Sequence, residues 1–243
     1  MRASFLLGLP LCIAFTSYPA LPESADATGA VRTRIEGIDI PSVPNAPFAA
    51  KVVVTWDEPL VGGGTVSRTY YTMVARDSQG RVHRETREFV PANSNTDPLL
   101  RSITINDPIA GTRTVCMQAS MNCSTGAFNP RIALVDDEGG ALPVSNGNLT
   151  RTSLGQQTMD GLPVTGTRET RTSIAGSNGS SRVAVGHTDV WYSPDLQMDL
   201  LVIRDSPQMG HVALSVTDLV RGEPARSWFA VPSGYEVKNA RNQ

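Results

Sequence analysis

Few residues of this chain have the chemistry of a catalytic or metal-binding group. The three histidines are His83, His187 and His211, and each lies more than twenty positions from the next. A zinc site needs His, Cys or carboxylate ligands that converge, often at short spacings such as His-x3-His. No such spacing occurs here. The sequence therefore predicts no metal site and no cofactor.

Two other patterns contain residue types that acid–base or nucleophilic chemistry requires. His187 and Asp189 are two residues apart on a predicted strand, so they share a face and could share a ligand or a proton. The favoured interpretation is a solvated strand face carrying a satisfied histidine. The serines of 176–181 (GSNGSS) lie in a predicted hairpin loop, without the strand–turn–helix context of a G-x-S-x-G nucleophile. An exported hydrolase is the least favoured hypothesis.

Cys116 and Cys123 are separated by six residues. In an exported chain, a pair so spaced predicts one disulfide that closes a small loop. The alternative is a pair of buried free thiols.

Export is indicated by the first residues. Arg2 gives a positive start, and Phe5 to Phe15 is an apolar run. The run has about half of the roughly 20 residues that a membrane-spanning helix needs, so it is typical of a signal peptide. Cleavage after Ala27 predicts a signal peptide over 1–27 and a periplasmic or secreted protein. No later run approaches membrane length, so no span is expected in the mature chain.

The charges of the predicted mature chain nearly cancel. Removal of Arg2, Glu23 and Asp26 leaves 20 of the 21 basic and 21 of the 23 acidic residues. A nucleic-acid-binding surface normally carries a strong excess of Lys and Arg. The balance therefore argues against nucleic acid as a partner.

The rest of the pattern is that of strands joined by hairpins. Alternating or β-branched runs are separated by turn signals such as Asp77 to Gly80 and Asp160-Gly161. Pro224 suits the first position of a short helix ending at Phe229. Such a large sheet cannot stay flat. The predicted fold is mostly β: a large curved antiparallel meander, as a half-barrel or open barrel, with one short C-terminal helix. The predicted strands are Ala49–Asp57, Thr65–Arg76, Arg81–Val90, Arg101–Asn106, Gly111–Met117, Arg131–Val135, Thr152–Thr158, Pro163–Ile174, Arg182–Tyr192, Leu196–Arg204 and His211–Arg221.

These elements are expected in a single β domain over 49–237. A proline-rich N-terminal arm is predicted over 28–48, because Pro41, Pro44 and Pro47 favour an extended segment over a packed one. A C-terminal tail is predicted over 238–243. The segment 81–90 carries charges on both faces, so most of it is expected to face water.

Apolar residues recur on one face of each of the last two strands. In the second strand this face is predicted to carry Val212, Leu214, Val216 and Val220, with Asp218 as the exception. These faces are the best candidates for a binding surface, although an ordinary filled core is the alternative. The candidate lining residues are Leu196, Met198, Leu200, Val202, Val212, Leu214 and Val216, with Trp191 at an edge.

Several segments together resemble a known family. The hairpin of 75–85 (ARDSQGRVHRE), the turn of 106–111 (NDPIAG), and the blocks 161–170, 191–194, 221–224 and 229–237 occur in the order found in a family of uncharacterised exported proteins abundant in acidobacteria. More remotely, the hairpins and the ending 229–237 are similar to periplasmic lipoprotein carriers of the LolA/LolB type. The resemblance implies a curved antiparallel sheet with an apolar concave face. The long lid helices of those carriers are missing here.

Two functions are left open by the sequence. One is an exported, non-enzymatic protein that binds an apolar small molecule or a lipidated partner on a concave sheet. The other is a structural or interaction protein of the cell envelope, whose partner is another envelope protein and which holds no small ligand.

Overall fold

A computed structural model describes residues 38–128, 140–144, 147–173 and 183–239, with backbone alone at 140–144 and 239. The predicted signal peptide and the predicted strand Arg131–Val135 lie outside these ranges. The strands are β1 Phe48–Pro59, β2 Thr65–Arg76, β3 Val82–Arg87, β4 Val90–Pro91, β5 Leu100–Asp107, β6 Thr112–Met117, β7 Asn122–Ala127, β8 Gly140–Val144, β9 Gly147–Met159, β10 Leu162–Ser173, β11 Ala184–Ser193, β12 Met198–Ser206, β13 Gly210–Arg221 and β14 Glu236–Asn239.

All of these strands belong to one sheet. Its order is β14-β7-β6-β5-β3-β2-β1-β13-β12-β11-β10-β9-β8, and β4 pairs with part of β2. Neighbouring strands are antiparallel except for β14, which runs parallel to β7. The two end strands do not pair with each other, so within the described ranges the sheet is open. The mostly β, antiparallel, open fold is confirmed.

The predicted turns form where their residue types require them. Asp160 and Gly161 both have positive φ (47° and 74°), as the two-residue turn between β9 and β10 demands. The Asp77 carboxylate accepts the backbone N–H groups of Gln79 and Arg81, which fixes the turn between β2 and β3.

The length of one connection shows that the sheet curls. β7 and β8 are eleven strand positions apart. In a flat sheet they would be about 53 Å apart, at about 4.8 Å for each strand. The thirteen steps from Ala127 to Gly140 span at most about 45 Å when fully extended. The two halves of the sheet must therefore bend towards each other.

The main hydrophobic core lies on one face of the curled sheet, here called the inner face. It carries Phe48, Val52 and Val54 of β1, and the register places Leu214 and Val216 of β13 opposite these valines. The buried core residues are Ile38, Ile40, Phe48, Ala50, Val52, Val54, Val74, Val82, Leu162, Val164, Leu196, Met198, Leu200, Val202, Leu214 and Val216.

The described part of the predicted N-terminal arm is packed. Ile38 is completely buried and Ile40 nearly so, and both belong to the core of the inner face. The carbonyl oxygen of Ile38 accepts a hydrogen bond from Arg84 of β3. This segment is not simply extended, because it turns at Pro44 and Asn45, where Asn45 has φ 62°. Its two isoleucines bury enough apolar surface to hold it against the sheet.

A second, smaller core lies on the opposite face, here called the outer face. It contains Ile103, Ile105, Cys116 and Cys123, with Leu100 and Tyr235 at its margin. Residues 222–235, here called the C-terminal strap, lead from β13 to β14 and include a short 3-10 helix, Arg226–Phe229. The strap brings Trp228 against His83 of β3. The expectation that β3 mostly faces water is wrong at His83, which is buried.

One predicted face is altered by a β-bulge. In β13, Asp218 has φ 51° and the pairing with β1 shifts at this point. A bulge adds one residue and reverses the alternation beyond it. Leu219 therefore packs against the core, and Val220 is exposed. The sequence prediction that Val220 shares the face of Val212 and Leu214 is wrong for this reason.

The predicted tail is also shorter than expected, because Lys238 and Asn239 belong to β14. The described residues contain no helix that is both long enough and apolar enough to cross a membrane.

Candidate functional site

Six of the eight predicted lining residues are buried side chains of the main core. They pack with Phe48, Val52 and Val54 on the inner face, so their side chains fill this core and form its floor. They are Leu196, Met198, Leu200, Val202, Leu214 and Val216.

The other two, Trp191 and Val212, are partly buried at the margin of the core. Trp191 was predicted at an edge, but its ring lies on the backbone of Gly166 in β10: a Cβ built on Gly166 would come within 2.6 Å of the ring. Val212 precedes Leu214 by two residues on the same face of β13, and it pairs with Trp56 of β1.

Beyond the buried core, a line of residues crosses the inner face of seven strands. The register pairs Arg151 with Glu169, Glu169 with Thr188, Thr188 with Arg204, and Arg204 with Val212. Val212 then pairs with Trp56, and Trp56 with Arg68. Directly paired residues lie on the same face of a sheet. This line, here called the inner row, consists of Arg151, Glu169, Thr188, Arg204, Val212, Trp56 and Arg68.

The neighbouring register positions towards the core are apolar or aromatic from β11 to β2 and carry small hydroxyl side chains on β9 and β10. They are occupied by Ser153, Thr167, Val190, Val202, Leu214, Val54 and Tyr70. The inner face is therefore amphipathic: charged groups lie beside an apolar surface that continues into the core.

One end of the inner row holds a buried ion pair. Nε of Arg151 donates to Oε1 of Glu169 (2.8 Å), and both side chains are almost inaccessible to solvent. Nη1 and Nη2 of Arg151 are buried and make no hydrogen bond in the part of the chain that the structure describes. An unpaired buried polar group costs about 1–3 kcal/mol.

The other end of the inner row is aromatic and more open. Phe89 packs against both Trp56 and Tyr70, with ring centroids 5.8 and 4.6 Å apart, and is itself exposed. Nε1 of Trp56 donates to the carbonyl oxygen of Met209 (2.6 Å), which fixes the indole beside the β12–β13 hairpin. Burial raises the pKa of the Tyr70 hydroxyl, and the Arg84 guanidinium opposes this shift.

Comparisons with known proteins give structural neighbours of low similarity. No family model and no curated protein matches the chain. Among solved structures, LprF from Mycobacterium bovis is 13% identical with a TM-score of 0.32, covering 78% of this chain and 90% of LprF. A structure from Parabacteroides distasonis described as a lipoprotein is 10% identical with a TM-score of 0.34, covering 74% of this chain and 99% of that one. A DUF1329 family protein from Desulfovibrio piger is 11% identical with a TM-score of 0.23, covering 76% and 89%.

Scores this low carry no inference about fold, ligand or activity. The resemblance to an acidobacterial exported family stays a prediction, because no family model supports it.

The two candidate acid–base residues His187 and Asp189 do not form a pair. Asp189 binds both Nε and Nη2 of Arg168 (2.6 Å each), while Nδ1 of His187 lies 3.0 Å from the Thr170 hydroxyl. Each side chain thus has a hydrogen-bonding partner on β10, in line with the favoured interpretation that the histidine is satisfied on a strand face.

The register does bring two histidines closer than their sequence separation suggests. Asp205 of β12 pairs with His187 on one side and with His211 on the other, and its Oδ1 lies 2.7 Å from Nδ1 of His211. Among the described residues, no three His, Cys, Asp or Glu side chains are placed to hold a metal ion.

A cleft of about 240 Å³ lies on the outer face beneath the C-terminal strap. Nδ1 of His83 lies 2.7 Å from the carbonyl oxygen of Trp228, so Nδ1 carries the proton, and Nε2 of the neutral ring is an acceptor. Burial lowers the pKa of His83, against smaller opposing effects of the Trp228 carbonyl and the Glu85 carboxylate. The cleft residues are His83, Glu85, Ile103, Ser227, Trp228, Ala230 and Pro232.

The predicted disulfide between Cys116 and Cys123 is confirmed. The two cysteines are opposite each other in the β6–β7 hairpin, within the outer core.

Proposed function

We propose that this protein is an exported, non-enzymatic binding protein that holds an apolar ligand, or the acyl part of a lipidated partner, on the inner face of its sheet. The observation that carries the proposal is the open aromatic end of that face. There the apolar surface leaves the buried core through Val190 and Val212, which are half-buried, and reaches Trp56 and the exposed Phe89.

The predicted lining residues take different roles in this proposal. The six buried residues do not contact the ligand directly, because their side chains already fill the main core. The ligand contacts the residues above them, of which Val212 is the central one. Apolar contact would contribute about 25 cal/mol for each Å² removed from water.

Introduction of a positive charge at Val212 tests the proposal. Protein purified from its own host is examined by native mass spectrometry for a co-purified lipid, and then titrated with the neutral fluorescent probe N-phenyl-1-naphthylamine. The Val212→Lys variant places an ammonium group in the proposed contact surface, and we expect it to weaken probe binding by about tenfold or more.

Ala213→Lys is the matched control. Ala213 is the next residue of β13 and faces the opposite side of the sheet, opposite Thr55 rather than Trp56. It should bind the probe like the wild type. Absence of both a co-purified lipid and probe uptake in the wild type would refute the proposal.

A second candidate function is favoured by a different surface. Leu60, Val61 and Met209 are exposed at the tips of the β1–β2 and β12–β13 hairpins, which lie side by side. Exposed apolar groups on adjacent loops are typical of protein–protein contact. In a structural envelope protein, Val61→Asp would reduce co-sedimentation with the host envelope fraction, and Val212→Lys would leave it unchanged.

A further inference from the structure

We propose that the ligand of the inner face is an amphiphile with an acidic head group, and that Arg151 binds this head. The inference rests on the proposed function, which it makes more specific. Its starting point is the guanidinium of Arg151, whose side chain is only 3% exposed.

Only one of the three nitrogens of the Arg151 guanidinium has a hydrogen-bond partner among the described residues. Nε binds Glu169, whereas Nη1 and Nη2 are buried and have no hydrogen-bond partner among the described residues. These two nitrogens form a planar fork whose spacing matches the two oxygens of a carboxylate. A ligand carboxylate bound end-on would satisfy both.

The unpaired donors of Arg151 favour an anion. Glu169 contacts the guanidinium through Nε, so Nη1 and Nη2, which can only donate, are left for another acceptor. Glu169 is the one acidic residue of the inner row, and Arg68 at its far end lies beside Glu58. A neutral head group would leave the fork of Arg151 without a charged partner.

The layout also fits a long apolar tail. Arg151 on β9 and Trp56 on β1 are five strand positions apart, or about 24 Å along the sheet. Between them lie Val190, Val202 and Val212, and the polar Thr188 and Arg204 are confined to the row itself. A ligand with its carboxylate at Arg151 and its acyl chain directed towards Trp56 contacts both the charged end and the apolar part of this surface. A small anion contacts only the charged end.

The test compares two ligands that share one chain. Palmitate has the acidic head, and methyl palmitate has a neutral one. Both are measured by displacement of N-phenyl-1-naphthylamine from the full-length protein. We expect palmitate to bind the wild type at least about tenfold more tightly than the ester. Arg151→Met should remove this preference by weakening palmitate alone.

Arg171→Met is the control for loss of a positive charge. Arg171 is on β10, two residues beyond Glu169, and is exposed. It should keep the wild-type preference. Because Arg151→Met leaves Glu169 buried without its partner, a variant that fails to fold is replaced by Arg151→Met/Glu169→Gln, which removes both charges.

The outcomes separate this inference from the proposed function. Equal affinity for palmitate and its ester in the wild type, or an unchanged preference in the Arg151 variant, overturns the head-group assignment and leaves apolar binding intact. Failure of the wild type to bind either ligand or the probe overturns both.

Discussion

Arg76 of β2 and Leu196 in the β11–β12 turn are joined by a hydrogen bond from Nη2 to the carbonyl oxygen (2.6 Å). β2 and β12 are three positions apart in the sheet order, about 14 Å in a flat sheet. One side chain can bridge them only because the sheet curls. The same guanidinium donates to the carbonyl oxygens of Pro41 and Ala46, so a single cation holds together the sheet, a turn and the N-terminal segment.

Replacement of Arg76 should destabilise the fold strongly. Arg76 is fully buried, and burial lowers its pKa to about 10. Arg76→Met leaves three carbonyl oxygens without their donor, and we expect a loss of about 3–5 kcal/mol in the free energy of unfolding. Urea denaturation followed by circular dichroism measures this loss. Arg68→Met, which removes an exposed ion pair with Glu58, should cost less than about 1 kcal/mol. Equal stabilities for the two variants would contradict this role of Arg76.

Acidification should weaken the attachment of the C-terminal strap. The pKa of His83 is lowered in the folded protein, so the unfolded chain binds more protons as the pH falls below about 6.5. The stability due to the neutral ring is complete above this value and is lost below it. The free energy of unfolding at pH 5.0 should therefore be lower than at pH 7.5, and the difference should be smaller in His83→Gln. His211→Gln, on the other half of the sheet, serves as the control. An identical pH dependence in wild type and His83→Gln would rule out this contribution.

The disulfide should stabilise the outer core. It closes a short loop, since the two cysteines are seven positions apart. The chain-entropy estimate for such a loop is about 2–3 kcal/mol. Cys116→Ala/Cys123→Ala should lower the free energy of unfolding by about this amount, measured by urea denaturation. Protein that starts at residue 28 should show no reactive thiol when unfolded without reductant. Two thiols would mean that the bond is not formed.

A methyl group added at Gly166 should displace Trp191. Its Cβ would lie 2.6 Å from the indole ring, far inside contact distance. Overpacking of this kind costs about 1–3 kcal/mol, and the tryptophan fluorescence spectrum of the protein, to which Trp191 contributes, should shift in Gly166→Ala. Gly126→Ala is the matched control, because an added Cβ there meets no atom within 4 Å. A spectrum and a stability unchanged by Gly166→Ala would show that the ring can move away freely.

Much of the fold was predictable because local chemistry determines it. The alternation in β1 and the Asp160-Gly161 turn each predict a strand or a hairpin without reference to the rest of the chain. β7 and β14 were missed, since their small and polar residues give no alternation; β7 is a strand because it pairs with β6 in a hairpin, and β14 because it pairs with the distant β7. The sequence indicated the bulge at Asp218 only through one polar residue in an otherwise apolar face of β13.

The inner row could not be predicted for a related reason. It requires the register of six strand pairs, and three of those pairs contain shifts, one of which leaves Leu200 unpaired between β12 and β11. Arg151 and Trp56 are far apart in sequence, and neither has a motif around it. The sequence did place the apolar residues of this region on strands, except that Leu196 lies in the β11–β12 turn rather than in a strand. It assigned the ligand contacts to side chains that the core already uses.

The position of β1 in the middle of the sheet has a consequence for how the protein is made. One of its two partners is β13, and the bond between Lys51 and Thr217 spans 166 positions. The central pair cannot form until β13 has been synthesised. Until then β1, whose other edge is paired with β2, presents an unpaired edge, which is a state prone to aggregation. Chains that are kept unfolded until β13 has been made should therefore fold with higher yield than chains that begin to fold during synthesis. Slow folding is expected from such distant pairing.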